Sequence, residues 1–274
     1  MKRSIFVAIV FIVLSLVFSA AAQVEKCPEL DASFTMLEKG NPFLAKYNEI
    51  TCQDIEARYE LGLPYFFGGI REDWLMLPKK CQQATGYYRK GHVYFYGFDC
   101  SGFTRWINKQ AGKSRHDKLS AMITNWGKYG ETNHLAVKDL PYSEIHNYLK
   151  VGDFLVGNND GSRHILMYIG TLSDFGYTAE TVPELAEYLD YPLVIHCGKN
   201  PFYFLRYSEH IKKNGLHYKP TNGGVTISIV GVPVEKAPYT IDNNQNTFYY
   251  FMLDEYNLTI WDVFKCSSYV WFRM

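Results

Sequence analysis

From Val151 to the C-terminus the chain is a succession of short apolar runs, each ended by a turn signal, and this limits its fold more than any other feature. Phe154–Val156, His164–Gly170, Leu193–Cys197, Val225–Val232, Thr247–Leu253, Leu258–Val263 and Tyr269–Phe272 are rich in β-branched and aromatic residues and too short to be helices. They predict strands. Asn158-Asn159-Asp160-Gly161 predicts a turn between the first two. Before Val151 the pattern is more helical. Residues 23–60 read as mostly helical, with Asp31 or Ser33 as a cap, Pro42 as a second start, and Ile50, Ile55 and Tyr59 at helical spacing. Residues 70–97 read as loop, with Tyr87, Tyr88, Tyr94 and Tyr96 among basic residues, and residues 113–150 are polar and mixed. A helix is expected over 100–110, ending near Gly112, and a short one between Val182 and Leu189. Helices first and strands later predict an α+β fold.

The first 22 residues have the makeup of an export leader. Lys2 and Arg3 precede an apolar stretch from Ile5 to Phe18, and Ser19-Ala20-Ala21-Ala22 offers a small-residue cleavage site before Gln23. The apolar stretch is too short to span a bilayer comfortably. The expectation is an exported protein, periplasmic or extracellular, with no stable membrane anchor once the leader is cut. With no linker-like stretch to divide it, 23–274 reads as one elaborated domain.

With 28 basic and 28 acidic residues the chain has no formal net charge, and no basic cluster is interleaved with aromatics, so nucleic acid is not an expected partner. The six cysteines, Cys27, Cys52, Cys81, Cys100, Cys197 and Cys266, lack metal-type spacing, and no two histidines have the helical spacing of a zinc site. Neither a metal nor a cofactor is expected. Export makes disulfides possible. The 22 tyrosines suit either a ring-lined groove or half-exposed strands, the second being the commoner use.

Cys100 is the residue with the clearest chemistry. In Phe98-Asp99-Cys100-Ser101-Gly102-Phe103 it stands at the start of the expected helix, where backbone N–H groups and the positive end of the helix dipole favour a thiolate. A nucleophilic cysteine needs an imidazole to move the proton and a third group to orient that imidazole. His164 opens one expected strand and His196 lies near the end of the next; if the two are antiparallel neighbours, both rings reach one sheet edge. Side chains alternate along a strand, so Cys197 points away from the face used by His196 and is a poor nucleophile. Asp99 is equally suited to capping the helix and to touching a substrate.

These blocks, with Leu63-Pro64-Tyr65-Phe66-Phe67-Gly68-Gly69 upstream and Gly152-Asp153-Phe154-Leu155-Val156 between them, resemble the NlpC/P60 family over about residues 50–200. The resemblance implies a papain-like α+β fold, with N-terminal helices on an antiparallel sheet, that hydrolyses peptide stems of peptidoglycan, often between D-γ-glutamyl and a diamino acid. It implies Cys100 as nucleophile, His164 as base and then acid, and His196 as the group orienting His164. It further implies an oxyanion site at the Cys100 N–H, Tyr65 beside the thiol, and Asp99 and Ser101 in the substrate subsite. An amidase cutting the sugar-to-peptide link, or a wall-binding module that kept the fold, are the other functions it allows. Two insertions depart from the family pattern: 29 residues separate Gly69 from Asp99, and His196 follows His164 by 32 positions. Residues 200–265 match no familiar motif.

Overall fold

The computed structural model describes residues 27–38, 65, 70–78, 86–89, 92–112, 134–135, 137–159, 162–199, 218–219, 223–242, 247–253 and 256–273. The expected leader, the helical readings at Pro42 and at Ile50–Tyr59, and Cys52 and Cys81 lie outside these residues.

The first helix, α1 (Pro28–Glu38), starts at its proline, whose fixed φ and missing N–H suit the first helical turn. Asp31 and Ser33 therefore lie inside the helix rather than capping it, and the Ser33 hydroxyl donates to the Glu29 carbonyl. Residues 70–97 are not loop. They form β1 (Ile70–Pro78), β2 (Gly86–Arg89) and β3 (His92–Phe98). Together with the short β8 (Tyr218–Lys219) these make a four-stranded antiparallel sheet in the order β1-β3-β2-β8. The aromatic and β-branched residues of His92–Phe98 favour pleated backbone over loop, and the basic neighbours obscure that pattern.

Next comes α2 (Cys100–Gln110), ending at the expected place, with Gly112 at φ +74°. Its buried face is Gly102, Phe103, Thr104, Ile107 and Asn108. Among the described residues that follow, a nine-stranded sheet is built from β4 (His134–Leu135), β5 (Phe154–Asn159), β6 (Ser162–Gly170), β7 (Leu193–Lys199), β9 (Gly223–Val230), β10 (Tyr239–Asp242), β11 (Thr247–Leu253), β12 (Tyr256–Trp261) and β13 (Ser268–Phe272). Its order is β10-β11-β12-β9-β7-β6-β5-β13-β4, antiparallel except where β12 runs parallel to β9. A short helix α3 (Tyr142–Ile145) precedes β5, and Pro183–Tyr188 is the expected short helix, in 3₁₀ form. The fold class is α+β.

Alternation in β6 and β7 splits the core into two layers. Ile165, Met167, Ile169, Ile195 and Cys197 pack with Phe103 and Ile107 of α2. Leu166, Tyr168, Val194, Val230 and Trp271 form a second cluster on the other face. Burial of these side chains stabilises each layer by roughly 25 cal/mol per Å² of apolar surface removed from water.

Candidate active site

The cysteine at the head of α2 is positioned by the residue before it. Asp99 is the N-cap, with extended backbone, and its Oδ1 accepts from the Gly102 N–H at 2.6 Å and from the Ser101 hydroxyl at 2.8 Å. Asp99 and Ser101, both implied as substrate contacts, are thus engaged with each other at the helix start. Upstream, the buried Cys197 thiol donates to the Phe98 carbonyl at 3.2 Å, and Tyr65 bridges Phe98 in parallel. These contacts hold Phe98-Asp99-Cys100 against β7. The N–H groups of Ile165, Ser101 and Cys100 face the Cys100 sulfur. Since Ile165 directly follows His164, the thiol abuts β6 beside the histidine.

His164 and His196 come from antiparallel neighbours, β6 and β7, and use the sheet face opposite Cys197, as alternation requires. The last residues paired between the two strands are Met167 and Ile195, so the strands part where the histidines stand. The His164 ring leans across that gap. Its Nε2 lies 2.9 Å from His196 Nδ1, with the rings edge to face. A Cβ at Gly198 would lie 3.0 Å from the His164 ring, so a side chain there would need the ring to give by a few tenths of an ångström. His196 Nε2 is 2.8 Å from Ser228 Oγ on β9, which in turn bonds Thr259 Oγ1 on β12. Among the described residues no hydrogen bond joins the Cys100 thiol to either imidazole. Such bonds are often long in the absence of substrate and tighten when it binds.

Ser228 and Thr259 were not foreseen from sequence. The only available signal was a hydroxyl at each of two alternate positions, Thr226 and Ser228, inside the otherwise apolar Val225–Val230 run. Buried hydroxyls of this kind need partners.

A pocket of about 290 Å³ opens beside His164, walled by Gly157, Tyr249, Trp261, Asp262, Lys265 and Cys266. Gly157 pairs with His164 across β5 and β6, and the Trp261 indole lies directly over it. Most of this wall comes from the segment without a familiar motif. Among the described residues no cluster of His, Cys, Asp or Glu is arranged to hold a metal ion.

The sequence model of the NlpC/P60 family matches residues 62–182. Over these residues, somewhat under half of its length, the chain is similar to the NlpC/P60 family. No curated protein and no solved structure matches the chain. NlpC/P60 proteins are generally cysteine peptidases and amidases acting on peptidoglycan peptides. The matched span holds Tyr65, Asp99, Cys100, Ser101 and His164, and it stops before His196.

Burial dominates the electrostatics of the site. Burial pushes the Cys100 thiol up to about 11; the facing N–H groups pull it down, and the Asp99 carboxylate adds to the rise. The expectation of a helix-stabilised thiolate is therefore corrected, because desolvation outweighs the helix terminus. Burial also lowers His164 to about 4. His196 is lowered well below the usual histidine range, by burial and then by the neighbouring His164. Tyr65 is raised, first by burial and then by the acidic groups of Cys100, Asp99 and Cys197 around it. At neutral pH the resting site is thus a thiol beside two uncharged imidazoles. Cys27, Cys100 and Cys266 are free thiols.

Proposed function

We propose that this chain is an exported cysteine hydrolase of papain-like architecture that cleaves amide bonds in peptidoglycan stem peptides, with the bond between D-γ-glutamyl and a diamino acid as its first candidate. The observation that carries the reading is the sulfur of Cys100 set against the amide of Ile165, the residue that follows a His164 whose ring is tied to His196. With His164 Nε2 committed to His196, Nδ1 is the nitrogen left to take the thiol proton. The proton passes from Cys100 to His164 as the sulfur bonds the scissile carbonyl carbon, and the Cys100 N–H supports the developing oxyanion. His164 then returns the proton to the leaving nitrogen, the C–N bond breaks, and water hydrolyses the thioester. Because the resting pair is neutral, proton transfer and attack are coupled, and His164 works as a general base rather than as the partner of a preformed thiolate.

The pocket beside His164 supports a peptide substrate. It offers an aromatic wall, Tyr249 and Trp261, and both signs of charge, Asp262 and Lys265. In this reading the unmatched C-terminal segment shapes specificity. The test is digestion of purified wall material by the leaderless chain, with the soluble fragments analysed by mass. Fragments ending in D-glutamate are expected, and Cys100→Ala should release none while melting at the same temperature. Undiminished release by that variant removes the reading, and fragments beginning with free L-alanine would move the cut to the sugar–peptide amide.

A further inference from the structure

The hydrogen bonds that run from His164 into the sheet can point in only one direction. Each of four consecutive strands contributes one member: His164 from β6, His196 from β7, Ser228 from β9 and Thr259 from β12. The far end of the chain is the Ile227 carbonyl, which accepts from Thr259 Oγ1 at 3.1 Å. A carbonyl only accepts, so the single proton of Thr259 is spent there. Ser228 must then donate to Thr259, which spends its proton too. Ser228 is left to accept from His196 Nε2–H. A neutral imidazole carries one N–H, so His196 Nδ1 is bare and accepts from His164 Nε2–H. By the same count His164 Nδ1 is bare.

We propose that Ser228 and Thr259 are positioning residues that fix the tautomers of both histidines, anchoring the relay on the Ile227 carbonyl so that His164 always presents an unprotonated Nδ1. All four side chains lie on one sheet face, opposite Cys197. Thr259 and Ser228 are buried, so water does not compete for their protons. The arrangement survives proton transfer. When Nδ1 of His164 gains a proton, its Nε2–H still donates to His196 and no other bond has to reverse. The parallel pairing of β12 with β9 sets Thr259 directly beside Ser228, which makes the anchor possible.

The inference rests on the reading of His164 as the base, but its primary test does not need activity. Long-range ¹⁵N–¹H correlation spectra of the full leaderless chain at pH 7 report which nitrogen of each ring carries the proton. Both rings are expected as Nε2–H. An Nδ1–H form of His196 in the unmodified protein overturns the proposal, whether or not the protein is a hydrolase. Thr259→Val frees the Ser228 proton to turn toward His196, and Nδ1–H signals should then appear in both rings. On wall substrate, kcat should fall on the order of tenfold or more with little change in KM. Thr259→Ser keeps the hydroxyl and should restore both readouts. Unchanged tautomers in folded Thr259→Val also overturn the proposal. If that variant does not fold, Ser228→Thr supplies the same hydroxyl with one more methyl and should keep the Nε2–H forms, and their loss counts against the relay. Full activity of Cys100→Ala, by contrast, sinks the hydrolase reading and leaves the tautomer result standing.

Discussion

Burial and the helix N-terminus pull the Cys100 sulfur in opposite directions, and the thiol's rise to about 11 shows which is stronger. A preformed thiolate would react with iodoacetamide at a rate already flat near pH 7. Here the alkylation rate of Cys100, followed by peptide mass analysis of the intact protein, should climb through pH 8, 9 and 10 and level only near 11. A plateau below pH 8 would contradict the buried-thiol account. This residue-scale outcome could not be read from sequence. Asp99, Cys100 and Ser101 announce a capped helix start, and the structure has one. How deeply that start is covered depends on Tyr65, Ile165 and Cys197, which arrive from three other parts of the chain. Alternation alone, however, correctly separated Cys197 from His196, because strand geometry is local.

At the scale of elements, the hairpin of β5 and β6 carries the site, and its least conspicuous member is Gly157. A Cβ there would lie 2.2 Å from the Trp261 ring, too close for any fit without moving the indole. Gly157→Ala should push Trp261 toward the pocket beside His164. The expected result is a loss of roughly 1–3 kcal/mol in urea unfolding, a shifted tryptophan emission, and a raised KM on wall peptides. The hairpin itself was legible, since Asn158-Asn159-Asp160-Gly161 is a strong turn signal and pairing extends to Asn159 and Ser162. The strands β1 to β3 were not, because Tyr87 and Tyr88 run straight into Arg89 and Lys90, and Val93-Tyr94-Phe95-Tyr96 shows no apolar-polar alternation. Strand identity there is decided by pairing partners far along the chain, such as Tyr218 opposite Tyr87.

Two features tie the whole molecule to pH and to its own C-terminus. An unfolded histidine ionises near 6.5, whereas folded His164 does so only near 4, and burial beside His164 holds His196 well below its usual range as well. Between pH 6.5 and 4 the unfolded chain takes up protons that the folded chain refuses. Stability should therefore fall as pH drops through that window, by up to about 1.4 kcal/mol per pH unit for each histidine. Urea midpoints at pH 7, 6, 5 and 4 check this, and His164→Gln should flatten the slope. At the other end of the fold, buried Asp153 accepts from Arg273 Nε at 2.8 Å and Nη2 at 2.6 Å, and from the Lys150 N–H at 2.7 Å. Asp153→Ala would strand these donors, and a loss of about 2–3 kcal/mol is expected in the same urea assay at pH 7.

The placement of β13 inside the sheet, between β5 and β4, limits how far this protein can be shortened. A fragment trimmed to the family-matched stretch would keep Cys100 and His164. It would also lose β7 and β13, the partners on either side of the β5–β6 hairpin, and expose two rows of backbone donors and acceptors to solvent. The smallest excisable unit of this protein therefore runs through Arg273, some ninety residues beyond the matched stretch.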